Sequence, residues 1–137
     1  MMAWVGLRRT HDLLIRQVGG ELERRHGMTL TEYEALRHLA EAPRRRLALG
    51  VLAEAALLTP SGITRLVDRL ERRGWMERFP DGQDGRRWLA AVTPAGLSAV
   101  RAASRTHASG IQTAFVSRIG SDGAANLNQV WSRLTGP

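Results

Sequence analysis

The chain has 137 residues, of which 43% are apolar, and its 20 basic and 13 acidic side chains leave a formal net charge of +7 in which every basic residue is arginine. That length and apolar fraction describe one folded domain of ordinary size, and the excess of positive charge calls for an anionic partner. Without cysteine there is no disulfide framework, no thiolate nucleophile, no cysteine-containing zinc site and no thiol oxidant sensor. No run approaches the roughly 18 to 20 apolar residues of a membrane helix. The N-terminus interleaves apolar residues with Arg8, Arg9, His11 and Asp12 instead of forming a signal-peptide core, so a cytoplasmic protein without membrane contact is expected.

Trp4, Leu7, His11, Leu14 and Val18 recur on a three-then-four spacing, with Ile15 and Leu22 widening the stripe. This predicts an amphipathic helix over 3–26, stopped by Gly27 and weakened by Gly19 and Gly20. Thr31 and Glu34 fit a capping box, so a second helix is expected from Thr31 to about residue 42, ended by Pro43 and burying Tyr33, Leu36, Leu39 and Ala40. Arg44, Arg45 and Arg46 then read as a loop, Leu47 and Leu49 as a very short strand, and 49–56 as a helix burying Val51, Leu52 and Ala55. The clearest helix starts at Thr59, an N-cap residue followed by Pro60 at the first helical position. Its core face is Ile63, Leu66, Val67 and Leu70, its other residues are small or polar, and Gly74 ends it.

Two β-compatible runs, 75–79 and 88–92, flank a glycine-rich charged stretch and predict a hairpin. Thr93 and Pro94 open a long helix to about residue 119, with Leu97, Val100, His107, Ile111, Ala114 and Phe115 near one stripe. Gly120 closes it, and Ser121 caps a last helix carrying Ala124, Leu127, Val130, Trp131 and Leu134. The predicted fold is therefore mostly α with a small β-hairpin wing. A winged helix-turn-helix over 30–93 is flanked by helices over 1–27 and 95–137. The terminal stripes exceed what so small a domain can cover, so these helices are expected to form a homodimer through Trp4, Leu7, Leu127, Val130, Trp131 and Leu134. Two recognition helices would then lie roughly 34 Å apart, one turn of double-stranded DNA.

Side-chain chemistry supports DNA as the partner. Ser61, Gly62, Thr64 and Arg65 occupy the first turns of the recognition helix, opposite its core face, where hydroxyls and the helix N-terminus donate to phosphate and Arg65 reaches a guanine edge. Arg46, Arg69 and Arg72 are expected on phosphates. The competing reading of the helix arginines is local pairing with Asp68 and Glu71. At the hairpin tip, Arg86, with Asp84 and Arg87 beside it, suits a narrow minor groove of strong negative potential. Arg8, His11, Tyr33 and His38 are candidates for a small-molecule pocket, since arginine with histidine suits an aromatic carboxylate. The histidines at 11, 26, 38 and 107 show no metal-ligand spacing, so neither a metal nor a cofactor is expected. With no phosphate loop, no G-x-S-x-G and no paired carboxylates at a pocket mouth, an enzyme is not expected. The alternative is a non-specific architectural nucleic-acid binder, which needs charge but no base-reading helix.

The stretches LTEYEALRHL (30–39), LAEA (52–55), SGITRLVDRLERRG (61–74), 76–78, the tip residues 84–86 and LAAVTPAG (89–96) resemble the MarR family of transcriptional regulators in order and spacing. The resemblance covers nearly the whole chain, most specifically from Ser61 to Gly96. It implies an obligate, triangular homodimer on a pseudo-palindromic operator, usually a repressor. It also implies release by a small aromatic or phenolic effector bound between the dimerisation helices and the winged domain. By position Arg86 would be the minor-groove residue and Asp84 its stabilising partner, with Ser61, Gly62, Thr64 and Arg65 toward the major groove. Oxidant sensing through a cysteine, used by one subfamily, is excluded.

Overall fold

The computed structural model describes residues 1–136. A threonine cap starts three of the helices. Helix α1 runs Met2–His26 and stops at Gly27, whose φ of 59° is the left-handed cap conformation. Helix α2, Leu30–Glu41, is capped two residues earlier than the Thr31–Glu34 pairing predicts. Thr29 is the cap, its hydroxyl accepting from the Glu32 N–H while the Glu32 carboxylate accepts from the Thr29 N–H. The sequence offers two overlapping T-x-x-E registers, and the first wins because it buries Glu32 and leaves Glu34 for Arg37. A short 3-10 turn, Pro43–Arg45, leads into strand β1, Arg46–Ala48, and then helix α3, Leu49–Ala55. Leu52 and Ala53 are the buried residues of α3, whereas Val51 and Ala55 face out, contrary to the predicted face. So short a helix offers too little periodicity to fix its rotation from sequence.

Helix α4, Pro60–Arg72, starts as predicted, with the Thr59 hydroxyl accepting from the Gly62 N–H, and buries Ile63, Leu66, Val67 and Leu70. Strands β2, Met76–Pro80, and β3, Trp88–Val92, form the hairpin, and β1 adds to the far side of β3 to give an antiparallel sheet in the order β1-β3-β2. Helix α5, Pro94–Ile111, is shorter than predicted. A π turn, Gln112–Val116, and helix α6, Ser117–Thr135, follow, and Gly120 at φ 65° breaks the helical path at the position the sequence marks.

One core joins these elements. Leu36, Leu39, Leu52, Leu66, Val67 and Leu70 of the winged domain pack with Val18 and Leu22 of α1 and with Leu97, Val100 and Ala103 of α5. The outer helices are thus divided. The C-terminal half of α1 and the start of α5 complete the winged domain's own core, while the first half of α1 and all of α6 stay largely exposed.

Leu57, in the turn between α3 and α4, has φ 55° and is 93% exposed. The left-handed conformation costs a residue with a Cβ about 1–2 kcal/mol, only part of which the greater chain entropy of glycine offsets. Leu57→Gly should therefore stabilise the protein by roughly 0.5–1 kcal/mol, a rise of about 2–4 °C in Tm. A lower Tm by calorimetry would show that the leucine makes a contact essential to the fold.

Candidate nucleic-acid interface

Burial of Ile63, Leu66, Val67 and Leu70 turns the other side of α4 outward. Ser61, Thr64, Arg65, Arg69 and Arg72 are exposed and Gly62 is half-buried. Thr64 donates its hydroxyl to the Pro60 carbonyl at 3.1 Å, which leaves oxygen lone pairs for an incoming donor. A Cβ at Gly62 would sit 3.1 Å from the Thr59 hydroxyl oxygen. The glycine therefore protects the helix cap as well as allowing close backbone approach.

Asp68 and Glu71 do not pair with their neighbours on the helix. Both are held by Arg78 of β2, its Nη2 2.9 Å from Asp68 and its Nε 3.1 Å from Glu71, and Glu71 also accepts the Arg78 backbone N–H at 3.0 Å. This clamp fixes the wing to the recognition helix. It also neutralises both acidic groups of α4, so Arg65 and Arg72 present their charge outward; neither forms an ion pair among the described residues.

Arg69 also reaches back to the domain core. Its Nε lies 3.5 Å from Glu32, a residue 4% exposed, and Arg73 approaches the same carboxylate at 3.2 Å. Arg73 also donates to the Gly27 carbonyl at 2.7 Å and lies 3.6 Å from the Trp75 ring centroid. Glu32 therefore anchors α4 to the start of α2 through two arginines, consistent with buried charge being tolerated where it is paired. Arg46, expected on phosphate, pairs with Ala91 at the end of the sheet away from the Pro80–Trp88 tip pair.

The tip itself is built around Asp84. Its carboxylate accepts the Arg86 N–H at 3.1 Å and its carbonyl accepts the Arg87 N–H at 2.9 Å, while the Arg87 carbonyl accepts the Asp81 N–H at 2.7 Å. Asp84 thus shapes the backbone that carries Arg86, without a side-chain ion pair to it, and the guanidinia of Arg86 and Arg87 are left exposed.

Proteins of known structure share this fold. A model of the MarR family matches residues 26–87. Sco3205 from Streptomyces coelicolor, a MarR family transcriptional regulator solved in complex with DNA, is 29% identical over 98% of this chain and 84% of its own, with a TM-score of 0.92. The winged part of the chain thus matches the MarR family, and the whole chain shares the fold of these regulators. PcaV from the same organism, a transcriptional regulator solved with its natural ligand, is 28% identical over 97% of this chain and 89% of its own, with a TM-score of 0.77. AbsC, a MarR regulator also from Streptomyces coelicolor, is 23% identical over 98% and 90% of the two chains and shares the fold at a TM-score of 0.92. No curated protein sequence matches the chain.

Two further features of the chain lie away from the winged face. The exposed half of α1 and helix α6 form a groove of about 660 Å3 lined by Trp4, Leu7, Leu127, Val130 and Trp131 among others, with Leu134 67% exposed beside them. The structure thus brings five of the six predicted interface residues, all but Leu134, to one apolar groove. The predicted pocket residues, by contrast, are not brought together. His11 lines that groove, Arg8 lines a hollow with Arg9 and Asp12, and Tyr33 and His38 line neither. Helical rotation separates them: Arg8 and His11 belong to the exposed half of α1, while Tyr33 is buried in the core.

Tyr33 instead stacks on His107 of α5, ring centroids 4.3 Å apart. Burial pushes the Tyr33 hydroxyl above its ordinary pKa. It also pulls His107 below its ordinary value, against the attraction of Glu34. Beside them a hollow of about 270 Å3 opens between α1, α2 and α5, with Leu14, Val18, Ile111 and Phe115 in its walls and Glu34 and His107 as its polar residues. Sequence reasoning missed Glu34 and His107 because nothing short-range links residues so far apart in the chain. It missed Glu32 and Arg78 for the same reason. Among the described residues no cluster of side chains suits a metal ion, and no helix is long and apolar enough to cross a membrane.

Proposed function

We propose that this chain is a MarR-family regulator, a homodimeric, sequence-specific DNA-binding repressor on a pseudo-palindromic operator, released by a small aromatic effector. The observation that carries the DNA-binding part is the Arg78 clamp. It cancels the acidic groups of α4 and leaves Ser61, Thr64, Arg65 and Arg72 exposed on the helix, with Arg86 exposed at the wing tip. In this reading Gly62 admits the backbone, Arg65 reads a guanine with two hydrogen bonds, worth about 1–3 kcal/mol of discrimination, and Arg72 contacts phosphate. Arg86 enters the minor groove with Arg87 on the adjacent backbone. Arg69 positions the helix through Glu32 rather than serving phosphate alone. The DNA-bound state of Sco3205 supports this docking, and the ligand-bound state of PcaV supports an effector. Repression follows if the dimer covers a promoter and excludes polymerase.

The test is fluorescence anisotropy against duplexes from the DNA upstream of the protein's own gene, beside a scrambled control, at two salt concentrations. A preference of about 10³-fold or more for one duplex is the result expected of a specific regulator. Arg86→Ala should weaken that binding at least several-fold, with the dimer intact by light scattering. Equal binding to all duplexes, falling steeply with salt, would favour the architectural reading.

A further inference from the structure

The hollow beside Tyr33 and His107 has a chemistry opposite to the one arginine and histidine would have given it. Its volume of about 270 Å3 exceeds the roughly 150 Å3 that suffices for a benzene ring. Aliphatic side chains and Phe115 supply all of its walls except at one end, where Glu34 and His107 stand. No guanidinium lines it. The nearby charge of Arg37 is already shared between Glu34 at 3.0 Å and Glu41 at 3.0 Å, and the unpaired Arg16 and Arg118 line a separate hollow that shares only Ala114. Glu34 directs its second oxygen toward His107 Nε2 at 3.5 Å, too far for a strong bond, so that oxygen retains capacity to accept. The polar end thus offers a carboxylate oxygen as acceptor, and the cation paired with that carboxylate, Arg37, lies outside the lining.

We infer that this hollow takes a one-ring aromatic bearing a hydrogen-bond donor, an amine or a hydroxyl that meets Glu34, and that it rejects aromatic carboxylates. The inference rests on the effector part of the function proposed above and names its ligand class. The ring lies among Val18, Ile111 and Phe115, and its donor completes the bonding of Glu34. A carboxylate in the same place would face the Glu34 carboxylate in an apolar enclosure, where like charges repel strongly. The site also touches the predicted subunit contact. Leu14 and Phe115 line both this hollow and the apolar groove of α1 and α6. Phe115 belongs to the π turn, a local irregularity of the kind frequent at functional sites. An occupant therefore presses on a wall that the dimer groove shares.

The experiment is isothermal titration of the full-length protein, without DNA, with benzylamine, phenol and benzoate. Benzylamine and phenol should bind, and benzoate at least tenfold more weakly than benzylamine. Glu34→Gln, which keeps an acceptor but removes the charge, should weaken benzylamine at least tenfold, spare phenol and erase the discrimination against benzoate. Ile111→Trp, at a position 36% exposed where a larger side chain leaves the core untouched, should fill the hollow and abolish binding of all three. Benzoate binding as tightly as benzylamine and lost in Ile111→Trp would overturn the ligand class. Binding of none of the three, or binding indifferent to Ile111→Trp, would overturn the site. Because no DNA is present, failure here is separable from failure of the DNA-binding reading, which the anisotropy experiment decides alone.

Discussion

Gly96→Ala should unfold this protein at temperatures the parent tolerates. A Cβ built at Gly96 falls 2.0 Å from the Trp75 carbonyl oxygen and 2.8 Å from its carbon, both backbone atoms that no rotamer change can move. The close approach is held by two hydrogen bonds, the Thr93 N–H to the Trp75 carbonyl at 3.1 Å and the Thr93 hydroxyl to the Gly74 carbonyl. Together they bind the first turn of α5 to the start of β2. Relieving the clash means separating these elements, which exposes Leu97 and Met76 and loses both bonds. Overpacking of this kind costs about 1–3 kcal/mol and more where backbone must shift. We expect the upper end or beyond, with a Tm lowered by about 10 °C or more. Gly50→Ala is the matched control: nothing lies within 4 Å of its built Cβ and it sits inside α3, so it should be neutral or stabilising by about 0.5–1 kcal/mol. Equal melting temperatures for Gly96→Ala and the parent would refute the packing of α5 on the wing.

The second large effect is expected at the C-terminal helix. Val130→Asp combined with Leu134→Asp should give a monomer or an unfolded chain by light scattering, and operator binding should fall about 10²- to 10⁴-fold as the second recognition helix loses its tether. The reason is the unpartnered apolar surface of α1 and α6, on which Trp4 is 62%, Leu134 67% and Val130 44% exposed. Contiguous patches of this sort on a soluble chain mark an interaction surface. A two-fold dimer would cover the same patch on both copies. A well-folded dimer of unchanged operator affinity in the double variant would sink this assignment.

Some of the site was legible because its signals are local. Thr59-Pro60 and Thr93-Pro94 each carry their own cap chemistry, and the spacing of Ile63, Leu66, Val67 and Leu70 determines which way Ser61, Thr64 and Arg65 point. The tip sequence from Asp81 to Arg86 likewise holds its own turn, since the carboxylates of Asp81 and Asp84 each accept a backbone N–H two residues on. Where two local signals overlapped, as with Thr29 and Thr31 before two glutamates, sequence could not rank them. Burial of Glu32 against Arg69 and Arg73 decided it.

What the sequence determined by itself is therefore the set of elements, their order, the exposed face of the recognition helix and the surplus of arginine that needs an anion. Each follows from forces acting within a turn or two of helix, or from composition. Only the tertiary structure decided which charges stay free. Arg78 reaches back to Asp68 and Glu71, Glu32 draws in Arg69, and Arg46 sits at the far end of the sheet. It alone brought His107 of α5 to Tyr33 and Glu34 of α2, so that the pocket beside them is bordered by a carboxylate rather than an arginine. These outcomes depend on distances between residues remote in the chain, which are set by how the helices pack and carry no periodic trace in the sequence.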